Sequence, residues 1–126
     1  MVVDTSVLLS VLFAEPTSGA CVRSLQAVGG RVTISPINWM EIQTIVSSRR
    51  PGSQEELPAL LSRLPLHLSV LSGRIYTRTV EAQLRYDLNF GECSTYALAT
   101  AIRHEAILTL NPRFRQTDAE LIYPGE

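Results

Sequence analysis

Residues 2–13 read VVDTSVLLSVLF, and this stretch decides how the chain begins to fold. Val2 and Val3 are apolar and β-branched, which predicts the end of a short buried strand. Thr5 or Ser6 can cap a helix that follows directly. The apolar positions of that helix recur at helical spacing, at Val7, Leu8, Val11 and Leu12. A strand running straight into a helix is typical of an α/β fold.

Asp4 stands at the junction between this strand and this helix. An ionised carboxylate in an apolar setting costs several kcal/mol unless a partner or a metal compensates it. Asp4 can also be explained as a helix cap, although caps usually sit at exposed helix starts. Because it follows a buried strand, Asp4 is a candidate functional residue.

The composition is that of an ordinary soluble protein. The 126 residues suit one domain spanning 1–126, with 45% hydrophobic residues and a net charge of −1. This charge gives no global attraction for nucleic acid. No apolar run approaches the ~20 residues that span a bilayer, and no basic leader is visible, so we expect a cytoplasmic protein without membrane contact. Cys21 and Cys93 lack metal-ligand spacing and are interpreted as small buried thiols.

The remaining elements alternate between helical and strand patterns. Helices are predicted over residues 18–28, 36–50, 54–64, 72–87 and 89–105, and strands over residues 31–35, 67–71, 106–110 and 119–124. This order, without tandem hairpin signals, predicts a parallel sheet wrapped by helices, which is the α/β class. Ligands in such sheets gather beyond the carboxyl ends of the strands, where Asp4 lies.

Two further carboxylates stand where they call for an explanation. Ile37, Glu41 and Ile45 are four residues apart on one helix, which predicts that Glu41 points toward the core side. Without a functional role, Glu41 would either pair with a buried arginine or lie at the solvent edge of that helix face. Glu92 follows Gly91 in the first turn of a helix, where the dipole favours an acid by ~0.3–1 kcal/mol without any function.

Asp4, Glu41 and Glu92 come from separate elements and can converge at one end of the sheet. Their mutual repulsion would then require a cation. An all-oxygen site selects Mg²⁺ or Mn²⁺ over zinc, and Mg²⁺ bound through a few carboxylates keeps waters available for chemistry. The acids therefore predict a divalent-metal site.

Four segments carry a resemblance to a known family. They are VVDTSVLLSVLF (2–13), NWMEIQTIV (38–46), LNFGECSTYALATA (88–101) and ILTLNPRFRQTD (107–118). In order and spacing they resemble the motif regions of PIN-domain ribonucleases, and more narrowly those of the VapC toxins of bacterial toxin-antitoxin pairs. The resemblance implies an α/β/α sandwich with a central, mostly parallel sheet of four to five strands.

The resemblance also implies an activity and partners. The activity is hydrolysis of RNA phosphodiester bonds by a ribonuclease that depends on Mg²⁺ (or Mn²⁺), with Asp4, Glu41 and Glu92 as catalytic, metal-binding acids. The partners are the RNA substrate, a small cognate antitoxin resembling VapB, and a second copy of the chain in a homodimer. The region 57–66, LPALLSRLPL, suits an antitoxin groove or a dimer face, or is a core helix.

Further positions follow from the same resemblance. Ser6 is expected to support the site through its hydroxyl, and Arg113 and Arg115 to grip RNA phosphates. Asn111 is the nearest equivalent of the family's fourth acid. Asp118 either approaches the site and partly compensates for that loss, or is a turn aspartate that bonds nearby backbone.

The chain departs from the family pattern in two ways. Glu92 is longer than the usual aspartate by one methylene, and no acid stands at positions 111 or 112. Misplacing a reacting group by about 1 Å can cost ~100-fold in rate. The alternative is therefore a catalytically weakened PIN-like module that binds RNA or antitoxin without efficient cleavage. A phosphotransfer domain with Asp4 as acceptor is disfavoured, because the chain contains no lysine.

Overall fold

The structure, a computed structural model, describes residues 1–28, 32–52, 55–70 and 72–126, and only the backbone of residues 60 and 61 in a helix. Its strands are β1 (Val2–Val3), β2 (Val32–Ile34), β3 (Leu66–Leu68), β4 (Ile107–Leu108) and β5 (Leu121–Ile122). They form one sheet in the order β3-β2-β1-β4-β5, and each of its pairings is parallel. The predicted α/β class and parallel sheet are confirmed.

The helices are α1 (Thr5–Leu12), α2 (Ser18–Ala27), α3 (Pro36–Arg49), α4 (Glu56–Arg63), α5 (Gly73–Arg85) and α6 (Phe90–Ala97). A π-helical segment (Leu98–Arg103) continues α6, and a 3₁₀ segment (Pro112–Gln116) lies between β4 and β5. Within the described ranges, no helix combines the length and the apolar character needed to cross a bilayer.

The central strands divide the core into two layers. Val3 and Leu108, paired across β1 and β4, pack with α1 to α4 on one face. Val2 and Ile107, the neighbouring pair, pack with α5, α6 and Phe114 on the other face. Because successive strand side chains point to opposite faces, two adjacent valines reach both cores. The helices therefore cover both sides of the sheet, as the sandwich prediction requires.

Several element boundaries differ from the sequence prediction. Strand β3 begins at Leu66 and ends at Leu68, earlier than the predicted 67–71. The predicted continuous helix 89–105 is α6 followed by the π-helical segment, which ends where His104 adopts a left-handed φ of 54°. The change from an α-helix to the wider π-helix depends on packing against neighbouring elements, which the hydrophobic periodicity of the sequence does not reveal. Predictions that involve Gly29 to Arg31, Gln54 and Leu71 lie outside the described residues.

Helix α3 turns a different face to the core from the one its isoleucines predict. The buried stripe is Asn38, Ile42 and Val46, whereas Ile37, Glu41 and Ile45 are only half-buried. The shift is one residue, or about 100° around the helix. Glu41 therefore lies beside the buried face, at the edge that the sequence left as an alternative.

Candidate active site

Asp4 lies between the end of β1 and the start of α1, at the carboxyl edge of the sheet. Its Oδ2 atom accepts a hydrogen bond from the Ser6 hydroxyl at 2.7 Å and one from the Thr109 hydroxyl at 3.0 Å. The Ser6 amide also approaches Oδ2 at 3.4 Å, so Asp4 is the N-cap of α1. Within the described residues, Oδ1 receives no hydrogen bond. One carboxylate oxygen is thus held in place and the other is left for a ligand.

The electrostatics of Asp4 favour a cation. The residue is only 3% exposed, and burial raises the pKa of its carboxyl above the ordinary value. The hydrogen bonds from Ser6 and Thr109 act against this rise, while the negative charge of Glu92 adds to it. Among the described residues Asp4 forms no ion pair. Its ionised form is therefore destabilised by burial and by a second acid, and a bound cation would relieve both effects.

Glu41 lies on the second turn of α3 and reaches the same edge. Its Oε1 atom accepts a hydrogen bond from the Thr5 hydroxyl at 2.7 Å. A Cβ atom added at Gly91 would lie 2.8 Å from Oε2 and 2.9 Å from Oε1 of Glu41. The glycine therefore permits the carboxylate to approach the first turn of α6 closely. Like Asp4, Glu41 has one oxygen bonded to a hydroxyl, and in the described part of the chain it has no cationic partner.

Asn38 connects the elements that carry the acids, and the sequence prediction missed it. Its amide is fully buried and donates to the Thr5 hydroxyl and to the Gly91 carbonyl, both at 3.0 Å. Its carbonyl oxygen accepts from the Ser35 hydroxyl and from the Thr95 hydroxyl, the latter at 2.9 Å. Since Thr5 holds Glu41, this network fixes the distance between α1, α3 and α6 at the site. A polar residue on the apolar stripe of α3 was the available signal.

Glu92 has a different environment. Its Oε1 atom accepts from the Asn89 backbone amide at 2.7 Å, and its own amide donates to the Asn89 side chain at 2.8 Å. This reciprocal pair is a capping box at the start of α6. The spacing Asn-x-x-Glu, residues 89–92, was the signal for it in the sequence.

Asn111 and Arg113 complete the environment of Glu92. The Asn111 side-chain amide donates to the Oε2 atom of Glu92. The Nε atom of Arg113 lies 3.6 Å from Oε1, and its guanidinium also donates to the Asp87 carbonyl at 3.0 Å. Both carboxylate oxygens of Glu92 therefore have protein partners. Asn111 therefore stands where the PIN-domain pattern has its fourth acid, and its side chain contacts Glu92.

Two other predicted residues have partners of their own. Asp118 accepts a hydrogen bond from the hydroxyl of Tyr96. Tyr96 lies on α6, one turn after Glu92. Arg115 lies 3.4 Å from Glu126 and stacks over the Tyr123 ring at 4.4 Å. In contrast, the predicted Ser6 is integral to the site, because its hydroxyl bonds Asp4 and accepts from the Leu110 amide at 3.0 Å.

The donor chemistry fits a hard divalent ion, but the geometry gathers fewer acids than the sequence predicted. Asp4 and Glu41 offer carboxylate oxygens at the same edge, which is the ligand type that Mg²⁺ and Mn²⁺ prefer. Across the described ranges, no group of three or more His, Cys, Asp or Glu side chains is placed to hold one ion. Cys21 and Cys93 are both buried free thiols, as predicted.

The chain is similar to known proteins over most of its length. The model of the PIN domain family matches residues 1–120. The chain belongs to the PIN domain family. The predicted family and fold are confirmed, and the acids described above lie in the segments that carried the resemblance.

Individual relatives agree with this assignment. The chain is 30% identical over 132 residues to Ribonuclease VapC of Mycolicibacterium smegmatis, covering 98% of this chain and 100% of the relative. It is 29% identical over 128 residues to Ribonuclease VapC36 of Mycobacterium tuberculosis, covering 95% and 91% of the two chains. The crystal structure of VapBC2 from Rickettsia felis bound to a DNA fragment from their promoter superposes with a TM-score of 0.79 at 19% identity, covering 97% of this chain and 96% of that chain.

Proposed function

We propose that this protein is an endoribonuclease toxin that hydrolyses RNA phosphodiester bonds with a divalent metal ion, Mg²⁺ or Mn²⁺, and is neutralised by a cognate antitoxin. The main support is the pair Asp4 and Glu41, each with one oxygen fixed by a hydroxyl at the carboxyl edge of the sheet. The PIN domain match and the VapC ribonuclease relatives support the RNA substrate and the antitoxin partner.

Asp4 and Glu41 are the residues that would hold the ion, with Glu92 beside them. When bound, such an ion supplies an activated water and offsets the negative charge that grows at the phosphorus. The Ser6 and Thr109 hydroxyls keep the Asp4 carboxylate oriented, and Thr5 does the same for Glu41. Glu92 would serve as a further ligand or would orient the attacking water. Arg113 lies beside it, half-exposed, and can bind a phosphate oxygen of the RNA.

A cleavage assay tests the proposed function. The purified protein should cut end-labelled RNA in Mg²⁺ or Mn²⁺ and should not cut it in EDTA. Asp4→Asn, purified in parallel, should lose this cleavage while keeping the same fold by circular dichroism. Equal residual cutting by wild type and variant would identify a contaminating nuclease and would contradict the proposal.

A second candidate function is RNA or antitoxin binding without efficient cleavage. Two features favour it: Glu92 is engaged through both carboxylate oxygens, and Asn111 stands where the family carries an acid. Under this alternative, the protein should bind RNA with a similar affinity in EDTA and in Mn²⁺, and no metal-stimulated cleavage should appear over long incubation. Metal-stimulated cutting that requires Asp4 would reject it.

We also propose that the protein forms a homodimer through α5. Tyr76, Val80 and Leu84 follow one another at four-residue spacing and are 54%, 52% and 84% exposed. An apolar stripe of this kind on a helix surface is typical of a protein interface. Leu84→Glu should convert a dimer into a monomer in light scattering, whereas Gln83→Glu, an exposed neighbour, should not. A monomeric wild type would contradict this part.

The antitoxin is proposed to occupy a groove of about 410 Å³ between α1 and α4, lined by Val11, Leu12, Glu56, Ala59 and Arg63. Leu57 of the predicted 57–66 region is buried in the core instead, and the side chains of residues 60 and 61 lie outside the described residues. Co-purification with the co-expressed cognate antitoxin should be lost in Ala59→Arg and retained in Thr44→Arg, an exposed site on α3. Loss in both variants, or in neither, would contradict the groove.

A further inference from the structure

A second cleft lies outside the carboxylate site, between α5 and the π-helical segment. Its volume is about 350 Å³, and its walls include Arg74, Arg78 and Arg85 of α5 together with Tyr86 and Tyr96. We call it the arginine-tyrosine cleft. None of the functions proposed so far uses this cleft: neither RNA cleavage, nor dimerisation through the apolar stripe of α5, nor antitoxin binding between α1 and α4.

The arginines form one row along α5. Their spacing of four and seven residues places them on the same face of the helix. Arg78 is paired with Glu81 at 2.8 Å, whereas Arg74 forms no ion pair within the described residues. The apolar stripe of Tyr76, Val80 and Leu84 lies about 140° away around the helix, so a dimer formed through that stripe leaves the row open.

The tyrosines supply flat, partly exposed rings beside this row. Tyr86 and Tyr96 pack edge to face, with centroids 5.3 Å apart and planes inclined by 73°. The Arg85 guanidinium stacks over the Tyr86 ring at 5.1 Å from the centroid. Tyr96 donates to Asp118, and burial, aided by that carboxylate, raises the pKa of Tyr96. Tyr96 is therefore a neutral, oriented ring, and Asp118 is already occupied.

The cleft lies next to the candidate active site along α6. Tyr96 follows Glu92 by four residues on α6, which places it one turn, or about 6 Å, further along the same helix face. On the other side, Asp87 directly follows Tyr86, and its carbonyl accepts the hydrogen bond from Arg113. A strand that leaves the acids past Arg113 would therefore enter the cleft.

We infer that the arginine-tyrosine cleft binds a single-stranded RNA segment that flanks the cleaved phosphate, its bases against Tyr86 and Tyr96 and its phosphates against Arg74 and Arg85. Cationic side chains beside aromatic rings are the combination that holds single strands without sequence readout. In a duplex the bases stack on one another, so their faces cannot contact the tyrosines, and only the arginines would bind, through the phosphates. This inference deepens the proposed function, because the strand is the substrate of the adjacent acids.

The test measures RNA binding in EDTA, so that it does not depend on cleavage. The probe is a fluorescein-labelled single-stranded RNA pool of random sequence, about 12 nucleotides long, followed by anisotropy. Arg74→Gln with Arg85→Gln should weaken binding about tenfold and lower the slope of log affinity against log salt by about 1.4, since each lost phosphate contact removes about 0.7. Arg23→Gln with Arg49→Gln, exposed arginines on α2 and α3, removes the same charge and should change binding less than about twofold.

The rings are tested separately from the charges. Tyr86→Leu should weaken single-strand binding by about fivefold or more, the effect of one lost base stack, whereas Tyr86→Phe should bind as wild type. A duplex RNA of the same length should bind more weakly than the single strand and should not respond to Tyr86→Leu. Melting curves by circular dichroism establish that each variant is folded.

The outcomes separate this inference from the proposed function. Equal weakening by both arginine pairs, weakening by neither, or equal binding of duplex and single strand would overturn the cleft, whatever the cleavage result. Cleft-dependent binding in a protein that never cleaves RNA would uphold the cleft and reject the nuclease.

Discussion

The two sides of the candidate active site hold their acids differently. On one side, Asp4 and Glu41 each have one oxygen bonded to hydroxyls and, among the described residues, no cationic partner. On the other side, Glu92 has both oxygens engaged, by Asn89 and Asn111, with Arg113 at 3.6 Å. Neutral hydroxyls orient a carboxylate without neutralising it. The first side is therefore arranged to receive a cation, whereas the second is already compensated by the protein.

The largest expected effect on the cleavage rate comes from removing the carboxylate charge on one side or the other. Asp4→Asn should lower the initial rate of RNA cleavage in Mn²⁺ by at least about 100-fold, whereas Glu92→Gln should cost roughly tenfold, because Glu92 is partly engaged elsewhere. Initial rates on labelled RNA measure both. Equal losses would remove the distinction between the two sides.

Asn38 joins the two sides, so its removal should disturb both. Asn38→Ala leaves buried partners of its amide unsatisfied, including the Thr5 hydroxyl and the Gly91 carbonyl, and should lower the free energy of unfolding by about 2–4 kcal/mol. Urea denaturation measures this change. Thr44→Ala, an exposed position on the same helix, is the control and should stay within about 0.5 kcal/mol of wild type. A similar stability for both variants would contradict the bridging role.

Gly91→Ala should separate activity from stability. The added methyl group displaces the Glu41 carboxylate, whose two oxygens would lie within 3 Å of it, and should lower cleavage by about tenfold. Because the displaced atoms end a flexible side chain, the melting temperature should not fall. Gly73→Ala, where nothing lies within 4 Å, is the matched control. A fall in stability without a loss of rate would indicate that Gly91 serves packing alone.

Restoring an acid on the compensated side should have the smallest effect. Asn111→Asp exchanges a donor to Glu92 for a negative charge and should tighten Mn²⁺ binding by a few-fold in calorimetry. Gln116→Glu adds a negative charge at the other end of the adjoining 3₁₀ segment, outside the contacts of the carboxylates, and should leave the affinity unchanged. Equal tightening in both variants would point to overall charge instead of the site.

Much of the fold was predictable because it depends on local pattern. Val2 and Val3, the helical spacing after them and the alternation of helices with strands predicted a parallel sheet, and the order of the four segments predicted the family. The edge strand β3 was misplaced, since Leu66, His67 and Leu68 do not show the continuous apolar pattern of a buried strand.

The site was less predictable, because its geometry depends on contacts between distant residues. Thr109 bonds Asp4 across 105 positions, and Asn38 reaches Gly91 and Thr95 on another helix. Such partners leave no spacing in the sequence. The capping box of Asn89 and Glu92 was local and could have been predicted, and it explains why Glu92 is less available than a lone acid suggests.

The protonation of the Asp4 carboxyl should make the stability of the protein depend on pH. Burial raises the folded-state pKa of Asp4 above its unfolded value, so the folded protein binds this proton more tightly. The contribution of Asp4 to stability is therefore lost as the pH rises through the folded-state pKa, and at neutral pH the ionised group is destabilising. Below the ordinary aspartate pKa of about 3.9, the group is protonated in both states, and this pH-dependent loss of stability is absent.

The most direct measurement is the melting temperature of wild type and Asp4→Asn at pH 7, first in EDTA and then in Mn²⁺. Asparagine retains the helix cap without the charge, so the variant should be the more stable protein in EDTA, and the difference should vanish below about pH 3.9. Mn²⁺ should raise the melting temperature of wild type and leave that of the variant nearly unchanged. A wild type at least as stable as the variant in EDTA, with equal Mn²⁺ shifts in both, would contradict the claim that Asp4 awaits a cation.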